Sequence, residues 1–176
     1  MRFASASNPK WRKMLAFPIC IMRLDSYSVT TLKYFALTDK RRKYYLLEPV
    51  FVKGSTIYTP VDNDKVIMRK IMNKEEAEDL IEHIKLIDTV WIQEEKRREQ
   101  MYKEAIRTYD CKSLVQIIKT LYLRKQNRLK EGKKVLSSDE QYLRKAEELL
   151  YSEMSLALSI PKEQVEEYIT QAVDKQ

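Results

Sequence analysis

Three neighbouring segments decide the fold, reading KYYLLEPVF over residues 43–51, KGSTIYTPVDN over residues 53–63 and VIMR over residues 66–69. Tyrosine, valine, isoleucine, phenylalanine and threonine crowd the first two segments, and these residues favour strands. Gly54, near the start of the second segment, supplies the backbone freedom that a tight turn needs. The stretch therefore predicts three short strands, with the second folded back on the first.

From Asn73 onward the pattern changes to helical spacing with dense charge. Asn73 and Glu76 form a capping box, and apolar residues then recur every three or four positions, which predicts a first helix over residues 74–86. A connector that carries Trp91 leads to a second helix, which should end near Thr108.

Three further helices are predicted after this point. Asp110 is expected to cap the third helix and Gly132 to end it. Ser137 or Ser138 should cap the fourth, and Pro161 suits the first turn of a short final helix. Because the third and fourth helices are amphipathic and joined by a short loop, they should pair as an antiparallel hairpin. The apolar residues expected to face inward are Leu114, Ile117, Ile118 and Leu121 on the third helix, Leu143, Ala146, Leu150, Met154 and Ala157 on the fourth, and Val165, Tyr168 and Ile169 on the last.

These patterns predict an α+β fold, in which a small β module over residues 13–72 precedes an all-helical domain over residues 73–176. Residues 1–12 are rich in serine, asparagine, proline and lysine and are expected to be disordered. The segment that follows, up to residue 32, alternates only weakly and contains no glycine. We therefore expect it to be the least ordered part of the β module.

Composition favours a cytoplasmic protein without membrane contact. The 176 residues contain no apolar run near the ~20 that a membrane-spanning helix needs. The apolar stretch over residues 14–22 precedes no recognisable cleavage site, so a signal peptide is not expected. Cys20 and Cys111 lie far apart and in different modules, which argues against a disulfide framework.

The inventory of residues argues against catalysis. Two glycines in the whole chain exclude the usual phosphate-cradling loops. The single histidine, His83, lies in a helix of mixed charge without a nucleophile motif beside it, and no spacing offers the three or four ligands of a metal site. We therefore expect no enzyme activity, no catalytic residue, no metal and no cofactor.

The net charge of +7 is unevenly placed. Residues 91–134 hold 13 Lys and Arg against 6 Asp and Glu, whereas residues 135–176 hold 4 against 9. A basic block of this kind suits a phosphate-binding surface. A solvated helix face explains the charge equally well.

Trp91 lies at a joint, just before the basic helix that carries Lys96, Arg97 and Arg98. Proteins that bind the minor groove of DNA often insert a large apolar side chain, flanked by cations, at an unstacked base step. The alternative is an anchor packed between the first and second helices.

Four segments, over residues 44–50, 55–63, 114–122 and 136–150, together resemble the CarD/CdnL family of bacterial transcription regulators, and the likeness covers about residues 33–170. In that family a Tudor-like (SH3-like) β module binds the β subunit of RNA polymerase. A helical domain contacts promoter DNA at the upstream edge of the transcription bubble, where a tryptophan wedges into the minor groove and favours the open complex. The resemblance implies a nucleoid-associated regulator of this kind that is a monomer when free.

The resemblance also implies site residues. Those expected to contact DNA are Trp91, Lys96, Arg97, Arg98, Lys103, Arg124 and Lys125. Those expected to contact RNA polymerase are Lys33, Tyr34, Phe35, Ile57 and Tyr58.

This chain departs from the family pattern in two places. The stretch from Trp91 to the basic helix is longer than in the family, and residues 1–32 lack the Gly-Asp turn that opens the family's first strands. Either those strands are built from an unusual sequence, or the start reflects a shifted reading frame or altered initiation.

The main alternative is a protein-interaction module of the same β class without a DNA role, in which the basic helices only face solvent. An RNA-binding protein is a third possibility. Copurification with core RNA polymerase and salt-dependent DNA binding distinguish the three.

Overall fold

The computed structural model of the chain describes residues 17–23, 26–39, 42–52, 54–63 and 67–175. Contacts between residues divide the chain into two compact units, Met1–Ile71 and Met72–Gln176. Residues 1–12, for which we expect disorder, lie outside the described part of the chain.

The first unit is an antiparallel sheet. Its strands within the described residues are β1 (Phe17–Arg23), β2 (Ser26–Asp39), β3 (Arg42–Pro49), β4 (Ile57–Pro60) and β5 (Ile67–Lys70). They are arranged in the order β4-β3-β2-β1-β5. The three strands expected between residues 43 and 69 are thus confirmed as β3, β4 and β5.

The connection between β3 and β4 contains Gly54, whose φ of 78° lies in the left-handed region that glycine adopts without strain. β4 folds back on β3, so that Ile57 pairs with Leu47 and Tyr58 pairs with Leu46. β5 pairs with β1 at the other end of the strand order.

Leu47 forms the described core of this unit. It is fully buried and packs against Tyr45, Ile57 and Met68. Leu47 lies on β3 and Met68 on β5, which are three strand spacings apart in the order and would be roughly 14 Å apart in a flat sheet. The sheet therefore curls strongly around Leu47, as it does in small barrels.

β1 and β2 pair as an antiparallel hairpin although their sequence alternates only weakly. Phe17 pairs with Leu32, and β2 continues to Asp39 with β3 as its second partner. A register shift between Leu32 and Tyr34 marks a β-bulge. Strand formation depends heavily on cross-strand partners, which a single segment does not reveal. β1 and β2 thus form from a sequence without glycine.

The second unit is helical. Its helices within the described residues are α1 (Lys74–Glu82), α2 (Glu95–Thr108), α3 (Cys111–Lys130), α4 (Ser137–Leu158) and α5 (Val165–Asp174), with short 3-10 helices at Ile84–Leu86 and Lys162–Gln164. None of these helices has the length and apolar character that crossing a membrane requires.

The expected helix boundaries are confirmed at two starts and two ends, of which one is the end of α2 at Thr108. The Asn73 side chain accepts from the amide of Glu76, whose carboxylate accepts from the amide of Asn73. Asp110 caps α3 by accepting from the amide of Ser113 at 2.9 Å. Gly132 follows the end of α3 with a φ of 69°.

Three local expectations in this unit are wrong. The first helix ends at Glu82, and residues 84–86 form a 3-10 turn instead. Leu136 occupies the N-cap of α4, so Ser137 and Ser138 lie inside its first turn. Tyr168 is exposed, because the short α5 buries mainly Val165. The other residues expected to face inward are buried or half-buried.

α3 and α4 form the expected antiparallel hairpin. At one end, the Cys111 thiol lies 3.6 Å from Oε2 of Glu153. At the other end, Nε of Arg124 lies 2.6 Å from Oδ2 of Asp139. Because the partner's number falls as the residue number on α3 rises, the two helices run in opposite directions.

Candidate nucleic-acid interface

Trp91 lies in the connection between the 3-10 helix Ile84–Leu86 and α2. We call residues 87–94 the Trp91 loop. The Trp91 side chain is 60% exposed. A core anchor would be buried, so the second interpretation of this residue does not describe its position.

Lys119 on α3 binds the start of the Trp91 loop. Its ammonium donates to the carbonyl of Ile84 at 2.9 Å and also to the carbonyls of Lys85 and Ile87. An ammonium group has three N–H donors. This arrangement directs all of them at backbone oxygens of one turn.

Two more side chains of α3 bind the next residues of the loop. Gln116 donates from Nε2 to the carbonyl of Asp88 at 2.9 Å. The Thr120 hydroxyl accepts from the amide of Val90 at 3.0 Å and donates to the carbonyl of Gln116 at 2.7 Å. The backbone is therefore attached to α3 as far as the residue before Trp91.

Arg98 binds the loop on the other side of Trp91. Its Nη1 lies 3.2 Å from the carbonyls of both Ile92 and Gln93. Arg98 is only 6% exposed, and a buried cation requires such partners. The resemblance implies a phosphate contact for Arg98, but in the structure this residue supports the Trp91 loop from within the protein.

Among the other cations expected to contact DNA, Lys96 and Arg97 are exposed in the first turn of α2, a few residues after Trp91. Lys103 is also exposed, and its ammonium lies 2.9 Å from Oε1 of Glu99. This hydrogen bond lowers the pKa of Glu99 and raises the pKa of Lys103. Lys96 and Arg97 are thus two exposed cations that follow Trp91 closely in the chain.

Arg124 and Lys125 lie farther along, on α3. The Arg124 guanidinium is half-buried and paired with Asp139 across the hairpin. Lys125 is half-buried and lies close enough to Glu147 on α4 to affect the pKa of that carboxyl group. Both side chains therefore take part in the hairpin.

An open groove of about 530 Å³ runs between α2 and α3. Ile92 of the Trp91 loop, Met101 and Ile117 give it apolar walls, and Arg97 and Gln116 contribute polar groups. The groove therefore shares residues with the loop, with its support and with the exposed first turn of α2.

The residues expected to bind RNA polymerase lie on two strands of the first unit. Lys33, Tyr34 and Phe35 belong to β2, and Lys33 falls at the bulge where the register with β3 shifts. Tyr34 and Tyr58 both pair with Leu46, from opposite sides of β3. Tyr58 is 50% exposed on β4, whereas Ile57 packs against Leu47.

Sequence reasoning missed the supporting residues of the loop. Gln116, Lys119 and Thr120 follow the spacing i, i+3, i+4, which places them on one face of α3. Arg98 shares a face of α2 with the buried Tyr102, four residues later. The helical spacing of these polar residues was visible, but their backbone partners lie up to 35 positions away in sequence.

Within the residues that the structure describes, no three His, Cys, Asp or Glu side chains converge as a metal site would require. A family model described as CarD, C-terminal domain, matches residues 79–170, which is more than half of the chain. Comparison with curated proteins gives no significant match.

Proposed function

The chain belongs to the CarD family of transcription regulators, and from that premise we propose that it binds the β subunit of RNA polymerase and stabilises the open promoter complex. In this proposal Trp91 enters the minor groove at the upstream edge of the bubble. The protein acts by binding and has no catalytic step.

The observation that carries the proposal is the exposure of Trp91 on a loop whose backbone is bonded on both sides. Exposing an indole to water has a free-energy cost. Proteins that kink DNA insert apolar side chains of this size between base steps. A side chain presented by an ordered backbone suits that task, because less conformational freedom is lost on binding.

The charged residues close to Trp91 also support a contact with DNA. Lys96 and Arg97 project from the first turn of α2, close in sequence to Trp91. Arg98 and Arg124 have partners inside the protein, so we assign the phosphate contacts first to Lys96 and Arg97, and next to Lys103 and Lys125. Phosphate contacts fix orientation, and the tryptophan supplies the preference for melted DNA.

For RNA polymerase we propose a contact through β2 and β4, with Tyr58 as its exposed aromatic residue. Lys33, Tyr34 and Phe35 would extend that surface from β2. Binding to polymerase places the helical domain at a high effective concentration beside the promoter, so its own affinity for DNA need not be high.

The expected effect follows from differential affinity. A factor that binds the open complex tenfold better than the closed complex shifts the equilibrium by about 1.4 kcal/mol. A factor with equal affinity for both shifts nothing.

The experiment is a competitor challenge of open complexes formed by the cognate RNA polymerase, with and without the full-length protein. The proposal predicts longer-lived open complexes at saturating protein. Unchanged lifetimes, with the protein demonstrably bound to polymerase, would reject open-complex stabilisation and leave only the polymerase contact.

One observation favours a second candidate, a protein-interaction module without a DNA role. Arg98, Arg124 and Lys103 all have acceptors within the protein, which reduces the charge available for phosphates. This candidate predicts weak, nearly salt-independent binding to forked DNA, together with normal copurification with a protein partner.

A further inference from the structure

We propose that Gln116, Lys119 and Thr120, here called the α3 clamp, are positioning residues that set the conformation in which Trp91 meets DNA. This inference rests on the proposed function and adds to it the residues through which the loop is prepared for binding. None of the three was expected to contact DNA, and their side chains are directed at backbone atoms of residues 84–90.

Lys119 makes more hydrogen bonds to the backbone of residues 84–90 than the other two clamp residues do. Carbonyls at the end of a helical turn carry partial negative charge. A carbonyl oxygen has two lone pairs, so that of Ile84 can accept a side-chain donor although it also accepts from the amide of Ile87. Three such carbonyls converge on the ammonium group of Lys119: those of Ile84, Lys85 and Ile87. The charge of Lys119 is thereby used to end the 3-10 turn and to direct the chain toward Trp91.

Thr120 fixes the final residue before Trp91. It is 2% exposed, and its hydroxyl both accepts from Val90 and donates to Gln116. A buried hydroxyl with both roles filled tolerates little rearrangement, because moving Val90 would leave a polar group unpaired. Together with Arg98 on the far side, this bond leaves Trp91 as the residue between two fixed points.

The functional consequence is preorganisation. The apparent affinity of a protein for its target falls in proportion to the fraction of molecules in the competent conformation. If loss of the clamp leaves one molecule in ten with the loop correctly placed, stabilisation of the open complex falls about tenfold. Contacts with RNA polymerase, which belong to the other unit, are not affected.

Two variants test the clamp in the full-length protein. Lys119→Met removes the three donors but keeps an unbranched side chain, and Thr120→Val removes the hydroxyl but keeps the shape. Lys112→Met is the matched control, because Lys112 is an exposed lysine of the same helix and its loss changes the net charge equally. Each variant is compared in two measurements: amide hydrogen exchange over residues 87–92, and open-complex lifetime at saturating protein.

We expect both clamp variants to speed exchange at Val90 about tenfold or more and to shorten open-complex lifetime toward that without the protein, with copurification of polymerase unchanged. Lys112→Met should alter neither measurement. If one clamp variant fails to fold, the result for the other variant tests the proposal.

Two contrary results have different meanings. Wild-type exchange and wild-type lifetimes in the clamp variants, while Trp91→Ala abolishes the effect, would overturn the clamp and leave the proposed function intact. Loss of protection at Val90 together with no effect of Trp91→Ala on lifetime would confirm that the clamp orders the loop and would reject the proposed function.

Discussion

Nε of Arg124 lies 2.6 Å from Oδ2 of Asp139, and this ion pair joins α3 to α4 next to the loop between them. Both side chains are largely removed from solvent, at 17% and 6% exposure. The hairpin is therefore secured by charge near its loop and by apolar packing along its length.

Removing one partner of this pair should be costly. Asp139→Ala leaves the Arg124 cation partly buried without its counter-charge, and we expect a loss of about 3 kcal/mol in the free energy of unfolding. Glu78→Ala is the control, because the exposed pair between Lys74 and Glu78 contributes less than about 1 kcal/mol. Denaturant unfolding measures both, and equal effects of the two substitutions would contradict this account.

Two helix ends should respond to substitution with opposite signs. Gly132 has a φ of 69°, and a Cβ there would meet no atom within 4 Å. Gly132→Ala should therefore cost about 1 kcal/mol through backbone strain alone. Ser159, exposed at the end of α4, has a φ of 56°, and Ser159→Gly should raise stability by up to about 1 kcal/mol. Thermal unfolding measures the two signs, and a shared sign would be inconsistent with strain at these positions.

Glu147 should make the stability of the folded protein depend on pH. Burial raises its pKa, the nearby carboxylate of Glu166 adds to the rise, and Lys125 opposes it. A carboxyl group whose pKa is higher in the folded state resists ionisation there, so it destabilises the folded state once both states are ionised, and this penalty is absent below both pKa values. We expect Glu147→Gln to raise the melting temperature near pH 7, with the gain shrinking toward about pH 4.5.

Glu148→Gln is the control for this titration, since Glu148 is an exposed neighbour whose carboxylate lies 4.0 Å from the ammonium of Lys162. It removes one carboxylate from an exposed position of the same helix. A Glu147→Gln curve parallel to wild type at every pH would show that the carboxyl group titrates alike in both states.

Local signals in the sequence predicted much of the fold. The capping box of Asn73, the N-cap of Asp110 and the end of α3 at Gly132 act over four residues or fewer, so they could be read directly. The pairing of β1 with β2 could not, because it depends on partners elsewhere in the sheet.

In the candidate site, too, the sequence predicts local features but not those that depend on distant contacts. Lys96, Arg97 and Arg98 look equivalent in sequence, but successive residues of a helix point about 100° apart. Packing turns Arg98 inward and leaves the other two outward. The exposure of Trp91 and its support by Lys119 depend on contacts between distant segments, which spacing along one helix does not specify.

Salt dependence tests the phosphate contacts. If Lys96 and Arg97 each neutralise one phosphate, the slope of log affinity against log salt for forked DNA should fall in magnitude by about 1.8 in the Lys96→Ala, Arg97→Ala double variant. Substitution of Lys74, an exposed lysine at the start of α1, should leave the slope unchanged. A double variant with the wild-type slope would remove these two residues from the interface.

Trp91→Ala tests whether Trp91 stabilises the open complex by entering DNA, when thermal stability and open-complex lifetime are both measured for the variant. Because the indole is exposed, we expect a change in unfolding free energy within about 0.5 kcal/mol, with normal binding to polymerase and open-complex lifetimes equal to those without the protein. Tyr122→Ala, another exposed aromatic residue, should leave the lifetimes at the wild-type value. Wild-type lifetimes with Trp91→Ala, or a loss of about 3 to 5 kcal/mol of stability as in cores, would contradict the account.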